Sequence, residues 1–116
     1  MRTNAIFALL SSLLLGPTSA YAHAYLDSAN PRVGSTVASS PGQVTLHFTQ
    51  KLEPKFSKAE VRNAAGARVD AGSSASGSML RVSVKALPAG TYRVHWRVLS
   101  VDTHTTEGSF SFRVGR

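Results

Sequence analysis

TYRVHWRVLSV, residues 91–101, alternates apolar and polar side chains over most of its length. Tyr92, Val94, Trp96 and Val98 fall on one face of an extended chain, and Arg93, His95 and Arg97 fall on the other. That period of two marks a strand with one face in a core and one face in water. Its apolar side chains are mostly β-branched or aromatic, the types that pack well on a pleated surface.

The same period recurs on either side. QVTLHFT at 43–49 turns Val44, Leu46 and Phe48 inward and Thr45 and His47 outward. MLRVSVK at 79–85 puts Leu80, Val82 and Val84 on one face, and SFSFRV at 109–114 puts Phe110, Phe112 and Val114 inward. Residues 23–31 (HAYLDSANP) form a shorter first strand closed by Asn30-Pro31 and Gly34. Residues 59–62 form another, which 68–70 continue past the turn at 63–66. Leu52 and Phe56 are expected to tuck inward from a loop at 51–57, and AGSSASGS at 71–78 reads as a loop. Turn signals return roughly every ten residues and no helical period appears. The predicted fold is therefore all-β, a small sandwich of about seven short strands.

The chain has 116 residues, and its start differs from the rest. Arg2 supplies charge, AIFALLSSLLL at 5–15 is apolar, Gly16-Pro17 breaks the run, and Ala20-Tyr21-Ala22 has the small-x-small pattern of a signal peptidase site. The apolar run is short for a bilayer core of about 30 Å. Residues 1–22 are thus expected to be a cleaved secretory signal, with 23–116 as one domain and no stable membrane insertion after cleavage. With Arg2 removed, 12 of the 13 Lys and Arg remain against 6 Asp and Glu, a net charge of +6. The basic residues are scattered from Arg32 to Arg116, without charge runs or a stacking aromatic stripe. This reads as a solvated basic surface with loose attraction to anionic lipid or acidic partners, and it argues against nucleic acid. There is no cysteine, which excludes thiolate metal sites, redox dithiols and cysteine hydrolases. Outside the leader Met79 stands alone, which excludes a thioether-rich Cu(I) site.

Cleavage after Ala22 would make His23 the first residue, offering an α-amine and an imidazole Nδ1 that can close a six-membered chelate. A metal displaces the proton of such an amine readily at neutral pH. Asp102 and His104 lie two apart near the end of the long strand. In an extended segment both would point to one side, roughly 6.5–7 Å apart. Together with the His23 nitrogens they make a mixed N and O set suited to Cu(II). Taken singly, these residues read better as an arbitrary first residue, a turn cap and a loop histidine. Ser100, Asp102 and His104 could also be drawn as a hydrolase triad. Three residues on one strand end cannot easily form that relay, and no nucleophile elbow is present. His47 and His95 read as surface histidines.

HAYLDSANP at 23–31, LHFT at 46–49, AGTYRVHWRV at 89–98, SVDTH at 100–104 and GSFSF at 108–112 together resemble the CopC family of periplasmic copper-resistance proteins. The resemblance covers essentially all of 23–116. It implies a Greek-key β-sandwich, immunoglobulin-like or cupredoxin-like, that binds one Cu(II) ion in the periplasm. The implied ligands are His23, through its amine and Nδ1, with Asp102 and His104. It further implies a copper buffer or carrier for resistance and homeostasis, working beside an inner-membrane partner of the CopD type. Many members carry a Glu near the copper where this chain has Gln50, so the outer shell is expected to be weaker, or Glu53 or Glu107 to stand in. The segment at 63–79 lacks the methionines that some members use for Cu(I), so a Cu(II)-only site is expected.

Two other function classes fit less well. A terminal-His copper centre is also similar to that of polysaccharide monooxygenases. This chain, however, is short, lacks a broad aromatic platform and places a carboxylate beside His104 where oxygen would need room. A metal-free adhesion or assembly sandwich is supported by the fold alone. The expectation is a binding protein and not an enzyme.

Overall fold

The computed structural model describes residues 24–115. They form eight strands: β1 (Leu26–Asn30), β2 (Thr36–Val37), β3 (Gln43–Phe48), β4 (Lys58–Arg62), β5 (Asp70–Ser76), β6 (Met79–Val84), β7 (Gly90–Leu99) and β8 (Thr105–Val114). These make two four-stranded sheets, ordered β1-β3-β6-β5 and β2-β8-β7-β4. Pairing is antiparallel except for β2, which runs parallel to β8 through Thr36↔Arg113 and Val37↔Val114. β5–β6 and β7–β8 are hairpins, whereas the other five connections between successive strands cross between sheets, as in a Greek-key sandwich. Among the described residues no helix is long and apolar enough to cross a membrane.

The alternation of β7 is realised in space. Tyr92, Val94, Trp96 and Val98 are buried, Arg93 and Arg97 are exposed, and His95 is half-buried. They pack with Val44, Leu46, Leu80, Val82 and Phe112 in one core between the sheets. Phe48 meets Trp96 edge to face with centroids 5.0 Å apart, and Tyr92 stacks on Phe112 at 5.7 Å. Both are favoured aromatic geometries. The Tyr92 hydroxyl donates to the Pro88 carbonyl, which pins the turn before β7 to the core. Gly108 on β8 leaves room for the indole, since a Cβ there would lie 2.6 Å from Trp96.

Three details differ from the sequence reading. Residues 71–78, expected to be a loop, lie largely in β5, which pairs with β6 through Ser73↔Val82 and Ser76↔Met79. Its residues are mostly Ser, Ala and Gly, so it has no apolar alternation to read. β2, two residues long, is below the length at which a pattern exists, and its addition brings the strands from about seven to eight. Phe56 was expected inward, yet it is 65% exposed, because the 3-10 turn at Pro54–Phe56 carries it outward while Leu52 is buried.

β4 and β5 are each the last strand of a sheet, and side chains close the gap between them. Ser73 Oγ accepts from Ala59 N at 3.1 Å, and Asp70 Oδ1 accepts from Val61 N at 2.9 Å. Asp70 has a fully buried side chain that also takes Arg68 at 2.7 Å and Gly72 N at 3.2 Å. Burial pushes its carboxyl up. The Arg68 hydrogen bond and the Val61 amide, with help from Arg68's charge and Gly72, outweigh that and hold it below the ordinary carboxylate value.

Candidate metal centre

Three chain segments converge at one end of the sandwich. The first is the start of the described chain. Ala24 is fully buried, and its carbonyl accepts from Thr106 Oγ1 on β8 at 2.7 Å. Tyr25 exchanges two hydrogen bonds with Thr49, from Tyr25 N to Oγ1 and from Thr49 N to Tyr25 O, both at 2.9 Å. The second segment is the loop after β3, where Glu53 N donates to Leu99 O at 2.8 Å and Val101 N to Lys51 O at 3.0 Å. The third is the β7–β8 turn.

That turn is a tight hairpin. Thr103 N donates to Ser100 O at 2.8 Å, Ser100 N donates to His104 O at 2.9 Å, and Thr103 has φ 73°. A type I turn followed by a left-handed residue suits a three-residue hairpin loop. Asp102 and His104 therefore do not sit on an extended segment, as their spacing suggested. On the turn their side chains still meet, with His104 Nδ1 3.5 Å from Asp102 Oδ1. Both side chains are close to half exposed, at 46% and 40%, and so are open to an ion from solvent.

Ser100 beneath them is fully buried. Its hydroxyl donates to Asp102 Oδ1, and its Oγ accepts from His104 N at 3.4 Å. This hydroxyl is the main cause, with the His104 ring adding to it against some desolvation, that holds the Asp102 carboxyl below the ordinary value. Asp102 is thus an anionic oxygen donor at neutral pH. The arrangement excludes the hydrolase triad: Ser100 Oγ is inaccessible and bonds to the aspartate, not to the imidazole that would have to activate it. Sequence reasoning treated Ser100 only as a discarded nucleophile and overlooked Thr49 and Thr106. Hydroxyls that bond across 24 and 82 residues leave no local signal.

His23 lies outside the described residues, as do residues 1–22. Among the described residues no group of three or more His, Cys, Asp or Glu gathers as a metal site, and Asp102 and His104 stand as a pair. Gln50 is half-buried one residue after Thr49. Glu107 bonds to His95 Nε2 at 3.0 Å on the outer face of its sheet. Glu53 is half-buried in the stitched loop, and His47 lies on the outer face of the other sheet.

Comparison with known proteins points the same way. Residues 26–115 match the family model described as CopC domain. The chain is similar to "Copper resistance protein C" of Xanthomonas campestris pv. juglandis, 38% identical across 97% of this chain and 96% of that one. It is 32% identical to "Copper transport protein CutJ" of Bacillus subtilis (strain 168), covering 93% of this chain but 21% of that longer protein. The crystal structure of CopC from Methylosinus trichosporium OB3b superposes with a TM-score of 0.76 at 33% identity, covering 80% of this chain and 94% of that one.

Proposed function

The chain belongs to the CopC domain family, and on that premise we propose that it is a periplasmic copper-binding protein which buffers or carries Cu(II). It is a binding protein and not an enzyme; the relatives named above are named for resistance and transport. In this reading residues 1–22 are removed on export, and one Cu(II) is held by the His23 amine and Nδ1, Asp102 and His104. The ion brings its own positive charge. The chain contributes an anionic oxygen and nitrogens that give up their protons to bind it.

One observation carries the reading. Ala24, covalently next to His23, is tied by its carbonyl to Thr106, two residues from His104. Consecutive Cα atoms are about 3.8 Å apart, so the tie keeps the start of a processed chain within reach of Asp102 and His104. The nitrogen-rich, thiolate-free set suits Cu(II), and Met79 alone offers no thioether cluster for Cu(I). Transfer to an inner-membrane partner of the CopD type belongs to the same proposal. Its support is that a domain like this makes up a fifth of a much longer copper transport protein.

The test is a Cu(II) titration of the processed chain, its N-terminus confirmed by mass spectrometry, beside a form with one extra residue before His23. The processed chain should bind one equivalent with a weak d–d absorption band. The extension should weaken binding by more than the roughly 10–100-fold that accompanies loss of a supporting contact. Equal affinity of the two forms would remove the amine from the site.

A further inference from the structure

The basic residues are dispersed along the chain but concentrated in space. Lys58 and Arg62 on β4 and Arg93 and Arg97 on β7 are exposed, and the register sets them in directly opposed pairs, Lys58↔Arg97 and Arg62↔Arg93. Like charges facing each other across strands destabilise a sheet, and this is offset only in part, by Glu107 opposite Arg97 on β8 and by the Glu60–Arg62 pair. Arg113 on β8 adds a further exposed cation to the same side. The carboxylates here are Glu60, bonded to Arg62 at 2.9 Å, and Glu107, bonded to His95. None of the ion pairs among the described residues includes Lys58, Arg93, Arg97 or Arg113. The opposite sheet is different: the outward positions of its two central strands, β3 and β6, carry one charged residue, Arg81.

We propose that the outer face of the β2-β8-β7-β4 sheet is a peripheral docking surface for the anionic headgroups of a phospholipid bilayer. The chemistry of the face separates lipid from an acidic protein. Protein interfaces are built around a desolvated centre with aromatic or apolar anchors and few lysines. Here the outward positions between the cations are Glu60, Thr91, His95, Glu107, Ser109 and Ser111, none of them apolar, and the apolar Leu99 at the end of β7 is half-buried at the rim. The exposed aromatic Phe56 shares a shallow depression with Lys58 and Arg97 at the rim, where a ring can enter the headgroup layer. A broad array of cations with one rim aromatic matches binding to an anionic membrane, where each nearby Lys or Arg strengthens attachment about fivefold. Docking uses no copper ligand and stands or falls apart from the metal site.

Vesicle co-sedimentation of the processed chain tests this. It should bind phosphatidylcholine vesicles that contain phosphatidylglycerol, ignore pure phosphatidylcholine vesicles, and detach as salt screens the charges. Arg93→Gln with Arg97→Gln should lower vesicle affinity roughly 25-fold, the product of two losses of about fivefold. Arg81→Gln with Lys85→Gln removes the same charge elsewhere and should matter far less. If circular dichroism shows the first pair to be misfolded, Lys58→Gln with Arg113→Gln probes the same face. Equal losses for the two locations, equal binding to both vesicle types, or retention on immobilised polyglutamate without vesicle binding would each overturn the proposal.

Discussion

Ser100 shows what a single buried hydroxyl contributes at this site. It bonds to Asp102 and contacts the backbone of His104, so one side chain sets the carboxylate and steadies the residue bearing the imidazole. Losing a contact that orients a ligand weakens metal affinity about 10–100-fold. Ser100→Ala is therefore expected to lower Cu(II) affinity by about tenfold while costing only about 1 kcal/mol of stability. Competition titration and urea unfolding of the same sample read the two effects. His95→Ala, which removes a ring engaged with Glu107 on the outer face, should leave copper affinity unchanged. A Ser100→Ala protein that binds copper as tightly as the parent would reduce Ser100 to packing.

At the scale of the element, the informative pair is β4 and β5. Both are edge strands, and exposed edges invite pairing with other chains. Here Ser73 and Asp70 accept the Ala59 and Val61 amides across the gap, which covers that edge with side chains. Asp70→Ala would leave buried amides without acceptors and release Arg68, so a loss of about 3 kcal/mol is expected at neutral pH. The pH dependence has a definite sign. Because the folded carboxyl titrates below its ordinary value, its contribution is complete above the unfolded value of about 3.9 and is lost as pH falls through the lower folded one. Urea unfolding at neutral pH and at pH near 3 should show the parent approaching the variant in acid. A gap between them that stayed constant with pH would assign the loss to packing instead.

For the molecule as a whole, a domain of this size has little stability to spare and no disulfide to add any. A metal that joins the start of the chain to the β7–β8 turn should therefore stabilise the entire sandwich. At a Cu(II) concentration about a hundredfold above Kd the gain is about 2.7 kcal/mol. For a domain near this length that corresponds to a rise in Tm of roughly 10–20 °C. The rise should shrink in acid, where protons compete for the ligand nitrogens. Thermal scans with and without Cu(II) at two pH values check both statements, and an unchanged Tm at saturating copper would contradict the bridging arrangement.

The sequence by itself determined the class of fold and the residues of the described half of the candidate site. Period-two alternation is a local property, and along β3, β6, β7 and the second half of β8 the inward apolar side chains are buried, Val84 at the end of β6 excepted, while the alternate ones are half-buried or exposed. It was blind to β5, whose small polar residues bury too little to alternate, and to Phe56, whose direction is set by a turn and not by its own hydropathy. Asp102 and His104 were legible as neighbours in one candidate site. The turn that carries them was not, because the left-handed backbone at Thr103 bends the chain where an extended segment was expected. Tertiary structure alone decided two further things, both through register. It tied Ala24 to Thr106 across 82 residues, and it gathered cations scattered through the sequence onto one face by setting Lys58 against Arg97 and Arg62 against Arg93. Both depend on which strands become neighbours, and that is fixed by burial of the common core.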